Sequence, residues 1–441
     1  MTSRNVLFTV RVMSEKFLAG AENISLTDTG RHCPFGLHSE PAESPSLYRP
    51  DPSGPYWVRS YALCCEVLRQ PELFGNELEG EGGSMRPDAQ LQKKIANIYL
   101  QEGWTPVPPT FNSDPPRHKG RRRFLVPLLT AKRVVSIAPL VKERSEQLLN
   151  SLAGRTEIDF VKEFAKPLPL AVIAELIGLP TTDLPLLQRW SEALIDRAGS
   201  MASPQRQVEC AHLIAAMQTL VMQQLQHRKK APRADLLTEL ARAAAAQGHR
   251  IDPLEQLALI IDDLFFTGTA LVAAALSHGG LLLAQNAALA AELRNNRSLV
   301  PAFVEETLRL SSPVNANHRQ VRQDTTLGGI RLAKADILLL QFGAANHDES
   351  RFDHAGRVDL RRVAAGKHLA FGLGRHFCIG AVLVRSELTI AFNALLSRWE
   401  SFSLAQPASA LQYEPGVTMN SLRTLPLTLA LPAVGAAMPV R

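Results

Sequence analysis

Phe371-Gly372-Leu373-Gly374-Arg375-His376-Phe377-Cys378-Ile379-Gly380 sets one thiol between glycine turns and an apolar stretch, Ala381-Val382-Leu383-Val384-Arg385-Ser386-Glu387-Leu388, that reads as helix. Gly372 and Gly374 free the backbone to turn tightly and to approach a flat macrocycle that side chains would hold away. Phe371 is positioned to lie near the sulfur and keep water off it. Cys378 then falls at a helix N-terminus, where unpaired N–H groups and the dipole stabilise a thiolate. The competing reading is a buried structural cysteine, the usual fate of a free thiol. A zinc site made of His376 and Cys378 fails for want of a second ligand pair at metal spacing.

With Phe, two Gly, His, Cys and a final Gly fixed within ten positions, the run resembles the haem-binding loop of the cytochrome P450 superfamily, the haem-thiolate monooxygenases. The resemblance implies a mainly α fold with small β-sheets. It also implies haem b (iron protoporphyrin IX) between the long central helix and the cysteine-loop helix. Cys378 is then the expected iron ligand, pushing electron density toward the metal and favouring O–O cleavage. Phe371 and Gly372 are expected beside the cofactor.

Other segments carry the same resemblance. Glu306-Thr307-Leu308-Arg309 places opposite charges at i and i+3 on one helical face, where they can pair. In the family such a pair joins a later arginine in a buried network, and Arg357 in Gly356-Arg357-Val358-Asp359 stands at the matching place, with Val358 replacing the usual aromatic. Ser113-Asp114-Pro115-Pro116 offers a capping side chain and proline at a helix start. On that helix His118 and Arg122 are i and i+4, a pair suited to a carboxylate. The resemblance makes them haem-propionate contacts, joined by Arg319 and His376. Leu422-Arg423-Thr424-Leu425-Pro426-Leu427 resembles the closing β segment, with Met419 and Asn420 facing the pocket.

The long central helix departs from the pattern. Asp252-Pro253-Leu254-Glu255 reads as a capping-box start with proline at the first helical position. Gly268 matches the glycine that lets this helix pass close over the haem, but the usual acid and threonine after it are here Ala270 and Leu271. Thr267, one turn before Leu271 on the same face, is positioned to hold a relay water. Equally, its hydroxyl can bond the i−4 carbonyl of its own helix. Thr267 and Gly268 are the candidate catalytic positions. A substrate hydroxyl or the use of peroxide are the other ways to replace the missing relay.

The 441 residues allow up to about three domains on length alone. No repeat or low-complexity linker divides them, so the expectation is a tail over 1–30, one catalytic domain over 31–432 and a tail over 433–441. A hydrophobic content of 46% with 20% charged residues describes a soluble globular chain. Five cysteines, an odd count with Cys64 and Cys65 adjacent, fit a reducing compartment. Nothing in residues 1–20 resembles a signal peptide. Asp262 and Asp263 argue that the apolar central helix is a buried core element and no membrane anchor. A cytoplasmic protein is expected.

The net charge of +6 and the cluster Arg117, Lys119, Arg121, Arg122 and Arg123 lack the interleaved aromatics and motifs of nucleic-acid binding. A basic face for an acidic electron donor fits better, beside the plainer reading of a solvated face. Residues 75–110 read as a long loop with short helical pieces that lines the pocket.

The function implied is insertion of one oxygen atom from dioxygen into a small apolar or natural-product substrate, as in secondary metabolism. Electrons would come from a ferredoxin or flavodoxin. An acyl carrier protein is a further expected partner where the substrate arrives tethered. The alternatives are a peroxide-using haem enzyme and a non-catalytic haem-bearing binding or recruitment protein.

Overall fold

The computed structural model describes residues 45–78, 89–199, 202–246, 252–414 and 416–430. The expected tails, 1–30 and 433–441, lie outside the described residues. Helices dominate, and the sheets are small. A five-stranded sheet runs in the order Leu47–Tyr48, Tyr56–Val58, Ile337–Gln341, Ala316–Val321, Phe74–Gly75. A three-stranded sheet joins Glu157–Asp159, Pro426–Ala430 and Ser401–Leu404, and Thr325–Leu327 pairs with Ile330–Leu332. The closing β segment expected over 422–427 forms a strand over Pro426–Ala430, and near the other end the strand Tyr56–Val58 leads into the helix Tyr61–Arg69.

Two expectations about local structure are corrected. The segment read as loop between residues 75 and 110 contains a 14-residue helix, Ala89–Glu102, whose Leu91, Ile95, Ile98 and Tyr99 recur at helical spacing and are all buried. The exposed Leu100, outside the buried face, blurs that periodicity. Asp114 does not cap the helix Arg117–Leu125, which has no side-chain cap. Its carboxylate instead accepts the backbone N–H groups of Asn76 and Glu77 and pairs with Arg322 at 2.6 Å.

The central helix begins as its sequence indicates, with Asp252 accepting Leu254 N–H and Pro253 in the first turn. Glu255 does not close the box, because it pairs with Arg121 and Arg117 of the neighbouring helix. From Leu259 to Leu271 the helix is wound as π-helix, then continues as α-helix over Val272–Gln285. Such winding is uncommon and tends to mark functional sites. The span Pro253–Gln285 has the length and hydropathy to cross a membrane, yet 78% of its most apolar window is buried inside the fold, the behaviour of a core helix.

The buried ion pair is present with a different third member. Arg309 donates to both oxygens of Glu306 at 2.8 and 2.9 Å, and both side chains are fully buried. Arg362, at 3.1 Å from Glu306, completes the cluster. Arg357 supplies only its carbonyl, which accepts from Arg309, while its side chain is exposed. The remaining Arg309 donors reach the carbonyls of Asn346 and Ala355, and Asp359 N–H reaches Glu306, so every partner needed to offset the burial is in place. Glu306→Ala leaves two buried guanidinium groups unpaired and is expected to lower unfolding stability by about 3–5 kcal/mol. Arg357→Ala should leave the denaturant midpoint near wild type, whereas Arg362→Ala should lower it.

Candidate active site

A cavity of about 380 Å³ lies among the central helix, the helices Pro167–Ile177 and Arg117–Leu125, the strand Ala316–Val321 and the loop 370–380. All nine predicted site residues line it: Cys378, Phe371, Gly372, His376, His118, Arg122, Arg319, Thr267 and Gly268. The expected pocket segments contribute Pro109, Thr110 and Met419, and Phe266, Val314, Ala316, Asn317 and His318 line it as well. Asn420 does not line it, since its amide is buried and donates to the Ser311 carbonyl. Phe265 likewise points into the core, fully buried.

Gly372 and Gly374 adopt φ of +67° and +68°, the left-handed region that favours glycine. A Cβ on Gly374 would also meet the Leu68 carbonyl oxygen at 2.7 Å. Between these turns and the helix Ala381–Arg398, Cys378 N–H donates to the Phe371 carbonyl at 2.9 Å and closes the loop. Cys64, Cys65 and Cys210 are buried and free, whereas Cys378 is partly open and faces the cavity. Burial pushes the Cys378 thiol up; the Gly380 and Ala381 N–H groups, with Arg122 and Arg385, act in the opposite direction. The helix terminus alone therefore does not secure the thiolate, and a bound cation at the sulfur would.

The polar wall of the cavity fits a pair of carboxylates. Arg319 is 3% exposed, its one hydrogen bond among the described residues runs to the neighbouring His318 carbonyl, and burial lowers its pKa to about 10. A buried guanidinium without an anion is costly, so a carboxylate group of a ligand satisfies it. His118 and His376 face each other with ring centroids 4.2 Å apart. Burial, then the charge of Arg122, lowers the His118 pKa to about 4; His376 is lowered by burial and then by Arg319. Arg122 donates to the Phe377 carbonyl at 2.9 Å. Thus Arg122 belongs to the cavity, Arg121 is buried against Glu255 and the Pro108 carbonyl, and Arg117 pairs with Glu77 and Glu255. Of the basic run, Arg121 and Arg122 therefore turn inward, while Arg117, Lys119 and Arg123 are exposed.

On the central helix, the Thr267 hydroxyl donates to the Asp263 carbonyl at 2.7 Å, the i−4 arrangement weighed from sequence. A Cβ on Gly268 would meet Ile173 at 2.9 Å, so glycine here permits close packing of the helix Pro167–Ile177. Ala270 is buried, and Leu271 lines the cavity where an alcohol was expected.

Three functional positions escaped sequence reasoning. Asn76, 1% exposed, accepts from or donates to four partners: its N–H meets Asp114, its amide meets the Phe111 carbonyl and His376, and its carbonyl takes the His318 ring. Nothing in its sequence neighbourhood announces this. Asp263, half-buried, and Glu387, buried, are acids on the cavity wall, raised by desolvation to about 7 and about 8. Each lies in a mainly apolar helix, Asp263 after Asp262 and Glu387 after Arg385-Ser386, a signal that was available.

The family description "Cytochrome P450" matches residues 205–425. Cytochrome P450 107B1 of Saccharopolyspora erythraea is 34% identical over 340 residues, covering 76% of this chain and 82% of that protein. Cyclomarin C epoxidase CymV of Salinispora arenicola is 32% identical over 305 residues, covering 69% and 76%. The solved structure of P450BioI in complex with hexadec-9Z-enoic acid ligated acyl carrier protein aligns with a TM-score of 0.78 at 26% identity, covering 90% and 97%. The chain belongs to the cytochrome P450 family of haem-thiolate monooxygenases and has the P450 fold.

Folding moves the Asp263 carboxyl from an ordinary 3.8 to about 7, so the folded state holds its proton more tightly. Below about pH 4 the group is neutral in both states; as pH rises toward about 7, wild type should lose thermal stability relative to Asp263→Asn and level off above. Paired melting curves across that range check the sign.

Proposed function

We propose that the protein is a bacterial haem-thiolate monooxygenase that inserts one oxygen atom into a small apolar or natural-product molecule. The observation that carries this reading is one partly open thiol facing the same cavity as two histidines and a buried guanidinium that forms no ion pair among the described residues. In it, Cys378 Sγ would bind the iron of haem b, and His118, Arg122, Arg319 and His376 would hold the propionates. When bound, the haem supplies dioxygen activation and oxygen insertion.

The remaining work belongs to the chain. Phe371, 8% exposed and covered by the Arg385 guanidinium at 4.6 Å, shields the sulfur side from water. Gly372 keeps the loop backbone close. Gly268 lets the central helix pack tightly over the cavity, and the Thr267 oxygen accepts a hydrogen bond from a relay water while its own hydrogen stays on the Asp263 carbonyl. Electrons come from a ferredoxin or flavodoxin, and the apolar lining receives the substrate. The P450BioI complex makes an acyl-carrier-tethered substrate one class to include. Ala270 and Leu271, in place of an acid and an alcohol, favour a second reading in which peroxide replaces dioxygen and the electron donor.

Absorbance titration of the ferric protein against terpenoid, lipid, polyketide and carrier-tethered compounds identifies the ligand class by a shift to high spin. Turnover of that ligand with a ferredoxin system under isotopically labelled dioxygen should then place one labelled oxygen atom in the product. Product formed only with added peroxide would select the second reading, and product with neither oxidant would contradict both. Thr267→Ala should reduce product per electron and raise peroxide release; an unchanged yield would remove Thr267 from the relay.

A further inference from the structure

Asp263 stands on the cavity wall with no part in the oxygen chemistry. The cavity it lines carries apolar side chains, including Phe111, Ile173, Phe266 and Leu271, beside the polar Thr110, Asn112 and Arg197. The side chain is held by neutral donors only: Thr110 N–H reaches Oδ1 at 3.0 Å and Oδ2 at 3.2 Å, and the Thr110 hydroxyl reaches Oδ2 at 2.6 Å. These bonds fix the carboxyl without neutralising it, and they leave acceptor sites on Oδ1. The adjacent acid, Asp262, is already paired with Arg197. Arg121, the cation that most influences Asp263, spends Nε on Glu255 and Nη1 on the Pro108 carbonyl and forms no ion pair with Asp263. Among the described residues no cation forms an ion pair with Asp263.

We propose that Asp263 is the specificity-determining residue of the cavity and selects an apolar substrate that carries one protonated amine. The proposal rests on the cavity being the substrate site of the monooxygenase. An ionised carboxylate on this wall has no ion-pair partner among the described residues, and a ligand ammonium group supplies both the charge and an N–H donor. A neutral alcohol offers the hydrogen bond alone, and a carboxylate is repelled. The apolar lining then holds the rest of the molecule, and the position of Asp263, one turn from Thr267 on the same helix, fixes which end of the ligand points away from the cysteine loop.

The test is calorimetric titration of the full-length, haem-loaded protein with N,N-dimethyldecylamine, decan-1-ol and decanoate, followed in parallel by the Soret band. Wild type should bind the amine roughly tenfold or more tightly than the alcohol, from the coupling of a desolvated charge pair, and should exclude decanoate. Asp263→Asn and Asp263→Leu should both lose that preference, and the Leu variant should bind the alcohol at least as tightly as wild type does. Equal binding of amine and alcohol by wild type, or an amine preference that survives in Asp263→Asn, would overturn the proposal. So would a red-shifted Soret band showing that the amine nitrogen goes to the iron, or a loss of product per electron in Asp263→Asn with the amine preference intact. Because the calorimetric preference requires no oxygen chemistry, an inactive protein that still shows it would count against the monooxygenase reading and leave the Asp263 assignment standing.

Discussion

A buried charge cluster sets the position of everything around the thiol. Glu306 and Arg309 exchange two hydrogen bonds with no exposure to solvent, and neither would tolerate burial unless its remaining polar atoms were satisfied. Arg309 therefore takes the Asn346 carbonyl. The Asn346 side chain in turn accepts Leu369 N–H at 2.7 Å, the Leu369 carbonyl accepts Gly372 N–H at 2.8 Å, and the Phe371 carbonyl accepts Cys378 N–H. An unbroken series of short contacts thus connects a structural ion pair to the reactive loop. The network orients the loop; its charge does not act on the sulfur.

The cavity assembled on that frame divides its labour chemically. Cationic and imidazole groups gather on the strand Ala316–Val321, the helix Arg117–Leu125 and the loop, where Arg319 forms no ion pair among the described residues. The central helix contributes apolar surface and two acids with different fates. Asp262 is neutralised by Arg197, while Asp263 is held by Thr110 and raised by burial. Within one π-wound segment, adjacent carboxyls therefore have a structural role and an open one.

How much of this was legible in the sequence depends on the range of the interaction. The loop around Cys378 was readable because glycine conformation, a lone thiol and a following helix are local features. His118 and Arg122 were readable because i and i+4 spacing fixes a shared face. The helix Ala89–Glu102 was missed because the exposed Leu100, outside the buried face, blurred the helical spacing of its four buried positions. The third arginine of the buried cluster was assigned to Arg357 instead of Arg362, since sequence position does not say which side chain an irregular segment turns inward. Asp114 looked like a helix cap but serves Asn76, Glu77 and Arg322, partners 37 or more residues away. Asp263 was read only as a charge that excluded a membrane span, because its contact with Thr110 crosses 153 residues of sequence.

The central claim is that Cys378 presents a thiolate to a haem iron in this cavity. The carbon-monoxide difference spectrum of the reduced, purified protein tests it most directly. The account predicts the Soret position of a thiolate-ligated haem in wild type and its displacement to the imidazole-ligated position in Cys378→His. A wild-type spectrum of imidazole type, or one that Cys378→His leaves unchanged, would contradict it.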